Sequence, residues 1–177
     1  MKTINYLKVC FFCLSLLLLS NRAFASQTPH AQLSSSMTQL ASLNQLPRLV
    51  ILENVDSFFS LVPFDNGVIV NDPGTYFISV HGQAGIGRNS SQPGTVYLTL
   101  LQNDAAITHA SSASRQINRN DSIDDVCSQF VLHLQAGDTI TVQFSATNSA
   151  FGLLAANASF QTPDVPSVVF TMFRIGN

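Results

Sequence analysis

Alternating apolar and polar residues predict short β-strands along most of the chain. Between residues 139 and 146, Ile140, Val142 and Phe144 alternate with threonine, glutamine and serine, as in a strand with one face in a core and the other in water. Turn-forming pairs such as Pro73-Gly74 and Asn103-Asp104 separate these runs. No stretch carries a convincing helical period, so the pattern indicates an all-β sandwich or barrel.

The turn residues set the expected bounds of each strand. Strands are predicted at residues 49–52, 58–62, 67–70, 75–83, 95–102, 105–109, 126–134, 139–146, 151–154, 156–160 and 167–175. Glycines and polar residues predict two longer loops, at 82–94 and 111–125. Because loops on a rigid sandwich commonly carry recognition, these two are the expected ligand contacts.

Two strands are apolar on both faces. Phe77 points away from the side shared by Tyr76 and Ile78, and the last strand sets Val169 and Phe173 against its other apolar face. Such a strand needs cover on its second face. Loops of the same chain and a second subunit are equally compatible with this pattern.

The first 25 residues have the order of parts that defines a secretory signal. Lys2 and Lys8 precede an apolar run from Val9 to Leu19, and Ala23-Phe24-Ala25 supplies the small residues of a cleavage site. The run is about half the length that a spanning helix needs. The chain is therefore expected to be exported, to the cell surface or medium, with the periplasm as the alternative. No membrane span is predicted after it.

Residues 26–47 are rich in serine, glutamine, threonine and leucine and end at Pro47. We interpret them as a flexible leader, with a short helix near residues 37–46 as the alternative. The folded domain is expected to cover residues 48–177, a usual size for one domain.

Charge is scarce and negative. Beyond residue 25 the chain has no lysine, and five arginines face ten acidic residues, a net charge of −5 with histidine neutral. This composition does not predict the basic surface that nucleic-acid binding requires. Cys127 is the one cysteine beyond the signal, so no disulfide can form within the mature chain. It is interpreted as a small buried side chain, with a bridge between subunits or a reactive thiol as alternatives.

Three segments together resemble a known superfamily. The segment Asp72-Pro73-Gly74-Thr75-Tyr76-Phe77 is similar to the Pro-Gly-x-Tyr-x-Phe strand of the complement globular-head and tumour-necrosis-factor jelly rolls. Residues 96–103 resemble the next strand with its Asn turn, and residues 131–140 match the Leu-x-x-Gly-Asp-x-Ile hairpin. The ending from Phe170 to Gly176 looks like the bacterial branch, typified by the C-terminal domain of spore-surface collagen-like glycoproteins. The resemblance implies a jelly-roll sandwich of about ten antiparallel strands that assembles as a homotrimer.

Acidic residues in the second polar loop are the candidate metal ligands. Asp121, Asp124 and Asp125 offer hard oxygens at short spacing, as calcium prefers, and relatives of the resembled families sometimes bind this ion. The spacing does not fit an EF-hand loop, so a solvated acidic loop is the alternative. No other cofactor is expected.

Other chemistry has little support. His81 and His133 are expected on strand faces opposite the main apolar stripes, where a metal pair is conceivable and exposed histidines are the simpler interpretation. No Gly-x-Ser-x-Gly elbow is present. The leading hypothesis is a secreted, non-enzymatic, trimeric jelly-roll module that binds a surface or host glycan or protein. The alternatives are a structural, self-associating component of the envelope or matrix, and a hydrolase.

Overall fold

The computed structural model describes residues 27–88, 90, 92–107, 112–118, 123–156 and 164–177. The predicted signal segment and Asp121 lie outside these residues. Across the described residues, no helix has the length and apolar character needed to cross a bilayer.

The described chain is built from β-strands. In chain order they are β1 (His30–Ser35), β2 (Gln39–Leu40), β3 (Arg48–Leu49), β4 (Asn54–Phe59), β5 (Leu61–Phe64), β6 (Gly67–Val70), β7 (Gly74–Ile86), β8 (Gly94–Gln102), β9 (Ala105–Ala106), β10 (Ser112–Ile117), β11 (Ile123–Leu134), β12 (Thr139–Ala146), β13 (Phe151–Leu153) and β14 (Val168–Gly176). The predicted all-β class is therefore confirmed, and β12 has the predicted bounds.

The strands form two antiparallel sheets. In the front sheet the order is β2-β13-β7-β14-β1-β4, and β11 pairs with the other edge of β7. In the back sheet the order is β10-β8-β12-β6-β5, with β3 added to β12 and β9 to β8. Strands that are neighbours in space are mostly distant in sequence, as in the Greek-key connections of a jelly roll.

The core lies between the two sheets. The front sheet contributes Tyr76, Ile78, Phe170 and Met172, and the back sheet contributes Leu98, Leu100, Val142 and Phe144, all nearly inaccessible to solvent. Burying one such side chain contributes about 1.5–3 kcal/mol relative to leaving it in water. The alternation seen in the sequence of β7 and β12 therefore selects which side of each strand faces this core.

Tyr76 also fastens the turn that precedes its strand. Its hydroxyl donates a hydrogen bond to the carbonyl oxygen of Asp72 at 2.7 Å, and the Asp72 carboxylate accepts a hydrogen bond from Ser60. Burial raises the pKa of Tyr76, the Arg174 charge acts in the opposite direction, and the Asp72 charge adds to the rise. The Asp-Pro-Gly-x-Tyr sequence is thus a turn closed by the first core residue of the strand.

Residues 30–35 form an internal strand, which makes the predicted flexible leader wrong at this point. β1 pairs with β14 on one side and with β4 on the other, and Ala31 and Leu33 are buried in the core. Residues 37–46 contain β2 and no helix. The signal for this strand is weak because β1 has just two apolar core residues, Ala31 and Leu33, and gains much of its stability from backbone pairing. The folded domain therefore begins well before residue 48.

The two predicted long loops are also partly strand. β7 continues through Gly82 to Ile86, and β10 and the start of β11 lie within residues 111–125. A Cβ at Gly82 would lie 2.9 Å from Leu153 Cδ2, and one at Gly94 would lie 2.7 Å from the Phe151 ring. These glycines permit close packing under a strand, so interpreting them as loop punctuation was wrong.

Candidate functional site

The candidate site is the outer face of the front sheet, meaning the side of β11, β7, β14, β1 and β4 that points away from the back sheet. Along β11 every second residue is exposed, from Ile123 to His133, while Val126, Phe130 and Leu134 face the core. Strand register carries this alternation across the sheet, because directly paired residues point to the same side.

One line of side chains crosses all five strands of the outer face. We call it the aromatic row. Pairing register places its members side by side in the order Val131, Phe77, Phe173, His30 and Phe59. Its members lie about 4.8 Å apart from strand to strand, so the row is about 19 Å long.

The aromatic row is partly open to solvent. Phe173 is 38% exposed and Val131 is 58% exposed. The Phe77 and Phe173 ring centroids lie 5.2 Å apart with planes tilted by 40°, and the imidazole of His30 stacks on Phe59 at 6.5 Å. Ring contacts of this kind contribute about 0.5–1.5 kcal/mol beyond the area that they bury. The loops of the described chain leave this surface uncovered.

Smaller and more polar side chains border the aromatic row. The next line across the same strands consists of Gln129, Ser79, Thr171, Gln32 and Ser57. Ser79 is buried within the sheet surface despite pointing outward. Such short side chains let another molecule approach the sheet closely beside the aromatic rings.

The outer face of the back sheet has a different chemistry. Its exposed or half-exposed positions on β8 and β12 include Thr95, Thr99, Gln143 and Ser145, and Thr99 and Ser112 share a hydrogen bond of 2.8 Å. Tyr97 is the bulky member of this set and is 39% exposed. Leu49 of β3 and Val62 of β5 are 43% and 44% exposed, so the back sheet has exposed apolar residues of its own. Among the described residues, exposed large apolar side chains are more numerous on the front sheet, and the two-sided pattern in the sequence of β7 and β14 marks this surface.

The predicted calcium ligands do not converge among the described residues. Asp124 and Asp125 are consecutive on β11, so their carboxylates point to opposite faces of the sheet. Asp124 forms an ion pair with Arg115 of β10 at 3.3 Å. Within the described chain, no group of three or more His, Cys, Asp or Glu side chains is arranged to hold a metal ion. Asp124 and Asp125 thus fit a shared ion poorly, and a calcium site that uses Asp121 stays a prediction.

The two strand histidines are far apart. His81 is paired with Cys127, whereas His133 is paired with Thr75, six residues further along β7. That separation is about 20 Å at the rise of a strand. Both side chains lie on the outer face, opposite the core stripe as expected, and they cannot bind one metal ion together.

Cys127 is exposed on the outer face. Its interpretation as a buried side chain was wrong, because β11 turns every odd-numbered residue away from the core. The thiol lies directly across from His81.

The sequence pattern indicated two of the five members of the aromatic row. The two-sided patterns of β7 and β14 point to Phe77 and Phe173. Val131, His30 and Phe59 were missed as partners in this row, since their place depends on the register between strands that are far apart in the chain. His30 carried no signal of its own within a segment interpreted as a leader.

Comparison with solved structures identifies the fold. The globular domain of the zebrafish complement 1qA protein aligns with a TM-score of 0.54 and 18% sequence identity, over 85% of this chain and 100% of that domain. Murine APRIL aligns with a TM-score of 0.52 and 14% identity, over 84% of this chain and 100% of that chain. The expected complement and tumour-necrosis-factor-like jelly-roll fold is confirmed.

At these identities the two matches show the fold alone, and the closer likeness to the spore-surface branch stays a prediction. No protein-family model matches the sequence, and the search of curated proteins finds no significant match.

Proposed function

We propose that this protein is an exported, non-enzymatic jelly-roll module that assembles as a homotrimer through the outer face of its front sheet and binds a glycan or protein at a surface. The exposed aromatic row supports the assembly most directly. Export rests on the signal-like first 25 residues. The non-enzymatic role rests on the absence of a recognisable nucleophile motif in the sequence.

The observation that carries the proposal is the aromatic row. Exposed aromatic and aliphatic side chains at the centre of a sheet face are a common mark of an interaction surface. Phe77 and Phe173 pack against each other through a ring contact, which lowers the conformational entropy that they lose when a partner covers them.

A second copy of this chain is the occupant that we propose for the surface. The sequence resemblance implies a trimer about the apolar sheet. The mature chain also has few charges to keep copies apart at close range, with five arginines and ten acidic residues beyond residue 25. The exposed aromatic row itself carries no acidic or basic side chain apart from His30.

Replacing Phe173 by glutamate tests this assignment. The change puts a carboxylate in the centre of the aromatic row and removes the aromatic ring, whose burial contributes about 2 kcal/mol. The loss raises the dissociation constant of each interface roughly thirtyfold. We expect Phe173→Glu to sediment as a monomer at concentrations where the wild type sediments as a trimer. Tyr97→Glu is the matched control, because Tyr97 has nearly the same exposure on the back sheet, and it should remain trimeric.

Circular dichroism of both variants separates dissociation from unfolding. A folded Phe173→Glu protein with an unchanged trimeric mass would show that the outer face is not the interface. Dissociation by Tyr97→Glu as well would remove the distinction between the two faces on which the proposal depends.

The binding role needs a separate experiment. A glycan and protein array probed with the assembled protein should give selective signals if the module recognises a ligand. The alternative, in which self-association is the whole role in an envelope or matrix, predicts no selective signal with an intact trimer. A hydrolase screen addresses the third hypothesis, for which the sequence offers no motif.

A further inference from the structure

A small cleft separates two arms of the chain at the start of the domain. One arm contains Met37 and β2, and the other contains β3 and Ile51. The arms diverge because β2 joins the front sheet through β13, whereas β3 joins the back sheet through β12. The space between them has a volume of about 160 Å³, with Phe144 of the core among the residues that line it.

Side-chain hydrogen bonds hold the two arms at a fixed distance. The Gln39 amide donates from Nε2 to the Ile51 carbonyl oxygen at 2.9 Å and accepts at Oε1 from the Ile51 N–H at 2.9 Å. Gln39 Nε2 also donates to Ser35 Oγ at 2.9 Å, and the residue is buried. The cleft is therefore held open by an amide whose donors and acceptor are all paired.

The cleft has apolar walls that are interrupted by polar groups of Thr38 and Gln39, and its rim is cationic. Met37, Leu49 and Ile51 line it and are each more than a third exposed. Arg48 lies at the rim, where its Nη1 donates to the Leu40 carbonyl oxygen at 3.2 Å. No carboxylate of the described residues lies within ion-pairing distance of this guanidinium. Four of the five N–H donors of an arginine are thus left for a ligand.

We propose that this cleft binds a small amphipathic carboxylate, in particular the carboxyl-terminal residue of a peptide with an apolar side chain. A cavity of about 150 Å³ accommodates a group of the size of benzene, so the cleft matches one leucine or phenylalanine side chain. The Arg48 guanidinium then pairs with the carboxylate in the two-bonded geometry that arginine favours. This inference deepens the proposed binding role by naming a ligand class, and it does not require the trimer.

Three probes separate the contributions of the charge and the apolar group. Saturation-transfer NMR titrations would compare N-acetyl-leucine, its neutral amide and N-acetylglycine on the full mature protein. We expect N-acetyl-leucine to bind at millimolar concentration. The amide should bind about tenfold more weakly because the charged hydrogen bonds are lost. N-acetylglycine should also bind about tenfold more weakly than N-acetyl-leucine, because it buries no side chain.

Variants at the rim assign the binding to Arg48. Arg48→Gln should lower the affinity for N-acetyl-leucine about tenfold, and Arg48→Lys should retain part of it. Arg88→Gln, a change at another exposed arginine, is the matched control and should bind as the wild type does. Thermal melting and light scattering of each variant verify that fold and assembly are unchanged.

The proposal is overturned if N-acetyl-leucine gives no saturation transfer at millimolar concentration, if the amide binds as tightly as the acid, or if Arg48→Gln binds like the wild type. Because these readouts do not depend on the mass of the assembly, a negative result leaves the trimer proposal to its own experiment. Conversely, a monomeric protein that binds N-acetyl-leucine through Arg48 would support the cleft and reject the trimer.

Discussion

Asp138 shows at the scale of a single residue what the Leu-x-x-Gly-Asp sequence does at the start of β12. Its carboxylate accepts hydrogen bonds from the side chains of Asn103 and Gln102 at 2.8 and 3.0 Å and from the Gln135 N–H at 2.8 Å. The turn it closes contains Gly137 at a φ of 91°, a conformation that glycine adopts without strain. One carboxylate therefore joins the β11–β12 turn to the end of β8.

The same contacts set the protonation of Asp138 and give a pH prediction. Burial acts to raise the pKa of Asp138, but hydrogen bonds from Asn103, Gln135 and Gln102 outweigh it, so the pKa lies below its ordinary value. A lowered folded-state pKa gives stability that is present above the unfolded value of about 3.9 and is lost as pH falls through the folded value. We expect Asp138→Asn to lower the free energy of unfolding by about 1 kcal/mol at neutral pH. Below about pH 4 the free energy of unfolding of this variant should fall less steeply with pH than that of the wild type.

Urea unfolding of the wild type and Asp138→Asn across this pH range measures the effect. Asp104→Asn is the control, since Asp104 is exposed in the neighbouring β8–β9 turn. Equal losses for the two variants at neutral pH, or parallel acid limbs for Asp138→Asn and the wild type, would contradict the role given to Asp138.

At the scale of elements, the sequence predicted the strands whose alternation is strong and missed those held mainly by their neighbours. β7, β12 and β14 alternate large apolar residues with others and were found. β10 has one fully buried apolar residue, Ile117, and is held in the sheet by backbone pairing with β8. Register between distant strands has no local signature, so the aromatic row could not be assembled from the sequence alone.

Shortening the chain tests the corrected domain boundary. A protein that begins at Arg48 lacks β1, which leaves β14 and β4 without the strand between them and removes buried Leu33 from the core. Removing a strand that is paired on both sides costs a free energy comparable with the whole 5–15 kcal/mol by which domains are usually stable, so we expect the shortened protein to be unfolded. A protein that begins at Gln27 should unfold cooperatively, as judged by circular dichroism during heating.

A cooperative transition of the Arg48 form with the same midpoint would show that β1 is dispensable. In that case the interpretation of residues 26–47 as a leader would be restored.

At the scale of the whole molecule, the outer faces of the two sheets differ in chemistry. The back sheet presents mostly threonine, serine and glutamine on β8 and β12, with Leu49, Val62 and Tyr97 as exposed apolar or aromatic residues, whereas the front sheet carries the aromatic row across five strands. The polar outer face is suited to contact with water, whereas the apolar outer face leaves hydrophobic surface exposed until another molecule covers it. Cover of this face would explain why β7 and β14 have apolar residues on both sides. The cleft beside Arg48 uses a different part of the surface, where the arms of the chain pass from one sheet to the other.

The most direct test of the central claim is the mass of the wild-type protein in solution. Multi-angle light scattering after size-exclusion chromatography of the protein beginning at Ser26 should give three times the mass of one chain and keep that value on dilution into the micromolar range. A mass equal to one chain under the same conditions would contradict the assembly through the outer face.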